Sequence, residues 1–420
     1  MTPWAEVAGA DAVRAGGASD AVDGVVPAWV VRPRDVAGVR AVLAKATREG
    51  CGVVACGLGR HLDVGAPPRT LEVLLHLDLP SRILAYEPAD MTITVEAGCT
   101  LASLAETLAA SGQWLPIDPP CAGQTTVGGL VAANLSGPLR ASQGTVRDLL
   151  IGIAVVGNDG ALVRGGGRVV KNVAGYDVPK LHVGALGSLG VIVEATFKVR
   201  PRPEREEAMA IEVSGPGEAT SLALDLCRAV EPSWIELVHP ASLVDGSDDA
   251  SLVVVGCAGA AAWVDEAAAE IRRLAAPHAT LRHADGAALR RALSDVSARR
   301  VPAIIRVATL PSELGSFVVP TIEALVAEGH DLDLTAHVAS GVARIGVRAA
   351  DSVRHVLDRL RAGAPPQALV VVDRATAASK TGLDVWGTVP VGRGGALMAS
   401  LKREIDPNGV FAPGRFVCQP

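Results

Sequence analysis

The chain has 420 residues, 49% of them hydrophobic but only 3% aromatic, with a formal net charge of −6. That length calls for two or three folded units, with cores built mainly from Val, Leu, Ile and Ala. The charge excludes a general nucleic-acid binder. The seven scattered cysteines (51, 56, 99, 121, 227, 257 and 418) contain no CxxC pair, which argues against a disulfide framework, an iron–sulfur cluster or structural zinc.

The first residues, MTPWAEVAGADAVRAGG, lack a basic start followed by an apolar run, so no secretory signal is expected. The most apolar run, Leu252–Val264, is shorter than the roughly 18 residues needed to span a bilayer. A cytoplasmic protein is expected, reaching a membrane only peripherally through partner subunits.

In chain order, Trp29-Val-Val-Arg-Pro reads as extended. Asp35–Glu49 carries apolar residues at 36, 39, 42, 43 and 46, which is helical spacing stopped by Gly50. Gly52–Cys56, Leu71–Leu77 and Met91–Ala97 read as strands. Thr100 caps a helix through Ala110, closed by Gly112. Leu150–Val163 reads as a hairpin about Asn158-Asp159-Gly160, and Gly190–Val199 as a β-branched strand. Arg200–Glu207 is charged and broken by proline, which marks a domain boundary.

Beyond that boundary, six strands are expected at Ser233–Val238, Ser251–Gly256, Ala303–Val307, Leu332–Val338, Ala343–Val347 and Ala368–Val372. Helices are expected at Ala219–Ala229, Ala261–Ala275, Ala287–Ala298, Leu314–Ala327 and Ser352–Ala362. This alternation predicts an α+β unit with helices over one face of a sheet. A last helix near Gly395–Ile405 ends at the turn Asp406-Pro-Asn-Gly409. No repeat short enough for a solenoid is present.

Three Gly-rich segments stand out. The first, Cys56, Gly57, Leu58, Gly59, Arg60, His61 and Leu62, follows a strand. Leu62 stands where a Rossmann fingerprint needs its third glycine, and Pro67-Pro68 forbid a long helix. These residue types suit either a phosphate nest or a plain strand-end turn. The second runs through Thr125, Thr126, Val127, Gly128 and Gly129 to Ala133, Asn134, Leu135, Ser136 and Gly137. Its small residues let backbone approach a flat ligand or a crossing element closely. The third is Gly184–Gly190, entering the strand from Val191.

The order of these segments, with "DPP…TTVGGLVAANLSG" and "GYDVPKLHVGALGSLGVIVEATFKV", resembles the FAD-binding domain of the vanillyl-alcohol-oxidase-type FAD-linked oxidases. Within that family "GGGRVVKNVAGYDVPKL" and "LKREIDPNGVFAPGRF" are similar to the FAD-binding E subunits of bacterial glycolate oxidases. The resemblance covers Pro27–Pro203 and Met398–Phe416 well and the middle loosely. It implies an α+β fold with a two-subdomain FAD-binding domain (27–203) after a lead-in (1–26). An α+β, ferredoxin-like cap (204–385) and a C-terminal segment returning to the FAD domain (386–420) complete it.

Carried over by position, the resemblance assigns FAD contacts to Cys56–Leu62 and to Pro120, Cys121, Ala122, Gly123, Gln124, Thr125, Thr126, Gly128, Gly129, Ala133, Asn134, Ser136 and Gly137. It assigns further contacts to Gly187, Ser188, Gly190, Val191 and Ile192. The first loop departs from the family's usual Gly-Gly-Gly-Thr/Ser, with Leu58 in place of the middle glycine and Arg60 free to pair with pyrophosphate. Relatives that hold FAD covalently use a His in this loop. His61 stands about two places further on, so non-covalent FAD is expected.

The implied activity is oxidation of glycolate or another small 2-hydroxy acid to the oxo acid, with flavin accepting the hydride. Electrons would pass to an iron–sulfur subunit beside a sibling FAD-linked subunit. A stand-alone oxidoreductase and a non-catalytic flavin-holding subunit are the alternatives. Catalytic relatives carry a His-x-x-Gly-Asp-Gly-Asn-x-His-like metal motif. Here only His337 and Gly341 survive in AHVASGVAR, so no metal site is expected and His337 reads as an ordinary strand-end histidine. Arg306, inside an apolar strand, is the candidate for the substrate carboxylate, with an ion pair to a local acid as the alternative. Lys171, Tyr176 and Asp177 are polar residues that the sequence leaves unassigned, and so is the base.

Overall fold

The computed structural model describes residues 3–77, 82–167, 176–244, 250–278, 280–387 and 393–417. Lys171 lies outside the described residues. The N-terminal half holds two main sheets. In the first, Val13–Ala15, Trp29–Val31, Val73–His76 and Val53–Cys56 lie side by side, the last three parallel. Parallel strands need a crossover, and the helix Val36–Glu49 provides it. Asp35 caps that helix by accepting from the Gly38 N–H at 2.8 Å, and Gly50 ends it at φ 67°. Its buried face, Val39, Val42, Leu43 and Ala46, packs with Val53, Val73, Val191 and Phe411.

The second sheet is antiparallel, ordered Ile83–Glu87, Thr92–Glu96, Val191–Lys198, Leu150–Val156, Leu162–Gly166. Its last two strands form the expected hairpin. Val191–Lys198 lies at its centre, so the third Gly-rich segment leads straight into a fixed strand. Thr126 caps the short helix Val127–Ala133 by accepting from Gly129 N–H at 3.2 Å. Gly128 of that helix lies so close to Ala97 that a Cβ would stand 3.0 Å from the Ala97 methyl.

Beyond Pro203 the chain builds one eight-stranded antiparallel sheet. It consists of two successive βαββαβ units. The first runs through the strands Arg205–Val213, Trp234–His239, Ser251–Gly259 and Thr280–Asp285, with helices Pro216–Val230 and Ala261–Ala275. The second runs through Ala303–Ala308, Leu332–His337, Val342–Val347 and Leu369–Ala375, with helices Val319–Ala327 and Val353–Gly363. In each unit the sheet order places the first and third strands together at the centre, with the second and fourth outside, the arrangement of a ferredoxin-like fold. The units join where Trp234–His239 pairs with Leu332–His337. Alternate residues of both, among them Ile211, Leu237, Val253, Ile305, Leu334 and Ile345, share one core beneath the helices.

The charged stretch Arg200–Glu207, read as the domain boundary, already carries the start of a cap strand at Arg205. Its charges are accommodated: Glu206 accepts from Arg290, and Met209, Ile211 and Val213 face the core. The strands Ile83–Glu87 and Thr280–Asp285 went unpredicted, since neither shows a clean apolar run. Among the described residues no helix is long and apolar enough to cross a membrane.

Candidate functional site

The three Gly-rich segments meet. Val54–Leu62, Gln124–Thr126, Gly129, Ala132, Ala133 and Leu186 line one crevice. It continues into a second, where Ala55–Gly57, Thr126, Gly128 and Gly129 meet Gly187, Gly190, Val191 and Ile192. Glycines let these segments pack so closely that a side chain would collide. A Cβ on Gly57 would stand 2.5 Å from Thr126 Oγ1, and one on Gly190 would stand 2.6 Å from Val155 Cγ1. Gly187 sits at φ 71° with no heavy atom near its Cβ position, so its open side faces free space. His61 bridges the first two segments through Nε2 to Thr125 Oγ1 at 3.1 Å. Burial, then nearby Arg374, pushes the His61 pKa down to about 4, so the ring is neutral.

Distant cations hold these loops. Arg415, from the C-terminal tail, donates to the carbonyls of Leu62 and Val64 at 2.8 and 2.7 Å. Arg374 reaches Asp63 at 2.8 Å and the Arg60 carbonyl at 2.9 Å. Lys380 donates to the Asp63 carbonyl at 2.6 Å. Lys402 donates to the carbonyls of Ser188 and Phe411 and pairs with Asp406 at 2.5 Å. Each cation is itself paired with or hydrogen-bonded to protein, which is what a buried charge requires.

Some positions assigned from the sequence lie elsewhere. Gly137 packs against the Asp118 carbonyl, where a Cβ would collide. Gly123 is exposed, Ala122 packs on the core behind, and Cys121 faces an open groove on the outer side of the Cys56–Leu62 loop. Ser188 is fully buried behind the third segment, its hydroxyl without a partner among the described residues. Arg60 and Leu58 are exposed at the rim. Tyr176 is 95% exposed, and Asp177 pairs with Lys180.

At the inner end, past Ala133 and Leu186, the crevice opens into a cavity of about 330 Å³ between the FAD-side segments and the second βαββαβ unit. Pro120, Asn134 and Ser136 line it on one side, and Arg306, Arg344, Val371 and Asp373 on the other. Arg306 and Arg344 are directly opposed on neighbouring strands, a repulsive arrangement by itself. Asp373 resolves it, accepting from Arg306 Nε and Arg344 Nε at 3.1 Å each. Burial would raise the Asp373 pKa, but the two guanidinium groups outweigh it and hold the carboxyl below its usual range.

Behind Arg344 lies a relay. Its Nη1 donates to His337 Nε2 at 2.7 Å, and His337 Nδ1 lies 2.7 Å from the Glu236 carboxyl. Arg344 has only protons to give, so Nε2 is the acceptor and Nδ1 carries the hydrogen toward Glu236. Burial and Arg344 keep His337 neutral. His337 is thus a fixed member of a buried network, one that orients Arg344. Arg140 also lines the cavity, and its side chain has no hydrogen-bond partner among the described residues. Burial, with Arg344 and Arg306 close by, pushes its pKa down to about 10.

The sequence reading missed Arg140, Asp373, Lys402 and Arg415, and gave Arg344 no role. One signal was available: in ARIGV and VVVDRA a charged residue takes the outward position of an otherwise apolar, period-two strand. Among the described residues, the one group of three metal-compatible side chains is Glu328, His330 and His355. None of them lines the cavity, and Glu328 is already paired with Arg359 at 2.7 Å.

Residues 27–166 match the family model described as an FAD binding domain. The chain is 41% identical over 147 residues to glycolate oxidase subunit GlcE of Escherichia coli, covering 35% of this chain and 41% of that protein. It is 28% identical over 228 residues to glycolate oxidase subunit GlcD of Bacillus subtilis, covering 54% of this chain and 48% of the relative. The matched part therefore spans less than half of either relative. The solved structure of 4-ethylphenol oxidase from Gulosibacter chungangensis superposes with a TM-score of 0.75 at 16% identity, covering 99% of this chain and 96% of that one. That likeness shows the shared fold. Residues 27–166 are thus an FAD binding domain, and its glycine-lined crevice fits the cofactor.

Proposed function

We propose that this FAD-binding chain is a flavin subunit of a 2-hydroxy-acid dehydrogenase, of the E-subunit type found in glycolate oxidases. One observation carries the reading: the glycine-lined crevice leads into a cavity whose far wall holds Arg306 and Arg344. Cys56–Leu62, Thr125–Gly129 and Gly187–Ile192 hold FAD, which when bound supplies the hydride acceptor. Arg306 and Arg344 bind the substrate carboxylate, a charge-assisted contact suited to guanidinium. Asp373 sets the spacing of the two arginines, and Glu236 and His337 orient Arg344.

His337 does not serve as the base, because its one lone pair already accepts from Arg344. That occupied histidine favours a second reading, in which this chain holds flavin while a sibling subunit oxidises substrate. Electrons leave through an iron–sulfur partner, since the sequence has no cysteine spacing for a cluster of its own.

The test is to purify the chain alone and with sibling flavin and iron–sulfur subunits. Acid precipitation of the lone chain should release yellow FAD into the supernatant. Gly129→Asp, which places a carboxylate in the crevice, should lose FAD while keeping its circular-dichroism spectrum. A 2-hydroxy acid, glycolate or a longer one, should bleach the flavin or drive dye reduction at a useful rate only in the assembled complex. A colourless chain that takes up no FAD sinks the reading. Fast glycolate oxidation by the chain alone removes the multi-subunit part.

A further inference from the structure

The charges around the inner cavity do not balance for a ligand with one carboxylate. Four arginines line it: Arg140, Arg306, Arg344 and Arg374. Asp373 is the one acidic side chain among the described residues lining it. Arg374 is satisfied from outside by Asp63, through a two-pronged pair at 2.8 Å. Four guanidinium groups against two carboxylates leave an excess of two positive charges. Glu236 lies behind His337 rather than in the wall. Its carboxyl is engaged by the His337 Nδ1 hydrogen at 2.7 Å, away from the ligand space.

This excess sits where it costs most. Buried, unpaired charge is unfavourable by several kcal/mol unless something arrives to pair with it. Arg306 and Arg344 spend their Nε groups on Asp373, and Arg344 spends one Nη on His337. Arg140 spends nothing among the described residues. It comes from a different wall, the segment Arg140–Gln143, which packs beside the strand Trp234–His239. The cavity therefore draws its cations from separate elements: the Arg306/Arg344 pair on the cap sheet and Arg140 on the FAD side.

We propose that the cavity takes a dianion, a 2-hydroxy acid bearing a second carboxylate, with Arg140 the residue that selects for that second group. The inference rests on the functional reading above and narrows its substrate class. A ligand with a single carboxylate cancels one of the two excess charges. A dicarboxylate satisfies both.

The experiment uses the FAD-loaded chain and redox-inert probes. Acetate and propionate are compared with malonate, succinate and glutarate by calorimetry and by the difference spectrum of the flavin. The best dicarboxylate should bind at least about tenfold more tightly than either monocarboxylate, as expected for one added charge-assisted contact. Arg140→Gln should weaken dicarboxylate binding about tenfold more than monocarboxylate binding, and Arg140→Lys should retain most of the preference. Equal affinities for the two ligand classes in a folded, FAD-loaded chain overturn the proposal. So does a preference that survives Arg140→Gln. If the chain takes up no FAD, the functional reading fails, and calorimetry on the apoprotein still decides whether the cavity prefers a dianion.

Discussion

The two βαββαβ units of the cap share a topology and one core beneath their helices, yet their opposite faces do different work. On the first unit that face presents Ala208, Ala210, Trp234, Val238, Leu252 and Val254, packed with Leu139 of the FAD side. Gly256 exists there to make room for the Trp234 ring, with which any Cβ would collide. On the second unit the equivalent face presents Arg306, Arg344, Asp373, His337 and Asp333. One face is a seal and the other is a site. The difference lies only in the outward position of each period-two strand, because the inward positions of both units obey the same core. A duplicated architecture can therefore keep one copy for docking and free the other for chemistry.

The strongest way to break this contrast is Trp234→Ala. If the first unit's face is a seal, removing a fully buried ring should destabilise the chain by about 3–5 kcal/mol. Denaturant unfolding would show it, and ligand affinity in the folded fraction should hardly change. A mild stability loss with a large affinity loss would erase the distinction.

Arg306→Ala is the mirror experiment. It removes one of two opposed cations, so the melting temperature and FAD content should stay near those of the parent. Carboxylate affinity, or kcat/KM where the complex turns over, should fall roughly a hundredfold, the scale of a lost charge-assisted pair. Equal activity with and without this arginine would place the reaction in a sibling subunit.

His337→Gln sharpens the comparison at the seam. Glu236 of the first unit and His337 of the second are cross-strand partners, and the histidine orients Arg344. Affinity should fall about tenfold, less than for a direct contact. A merely structural histidine would lower the melting temperature and leave affinity unmoved.

A last effect, visible only under acid conditions, lies outside the cap. Burial pushes His182 down to about 4 from an ordinary 6.5. A depressed folded-state value means this contribution is complete above pH 6.5 and is lost as pH falls toward 4. The ceiling is about 3 kcal/mol for a shift of this size, reached only near the acid end. His182→Gln should flatten part of the melting-temperature slope between pH 6.5 and 4. Substitutions in either cap unit should leave that part unchanged.

Several FAD-side strands, the hairpin, the cap helices and the three glycine segments were legible in the sequence, because each rests on local signals. Periodicity, caps and glycine placement act within about a dozen residues. The cap strand from Arg205 was obscured because its charges look like linker until Arg290, far along the chain, pairs with Glu206. Gly137 and Ser188 sit in motifs of the right composition but are turned behind the crevice, a matter of backbone direction that residue type does not encode.

What the sequence by itself determined was a set of elements and three glycine-rich segments whose order resembles an FAD-binding domain. Arg306 could be singled out because a cation in an apolar strand needs a partner. Which partner, and which companions, only the tertiary structure decided. Asp373 lies 67 positions away, Arg344 on the adjoining strand, and Arg140 on another unit altogether. The loops that form the crevice are fastened by Arg415 and Lys402 from the tail. The physical reason is that buried charge is compensated in space, through contacts between distant segments, whereas helices, strands and turns are set largely by neighbours along the chain.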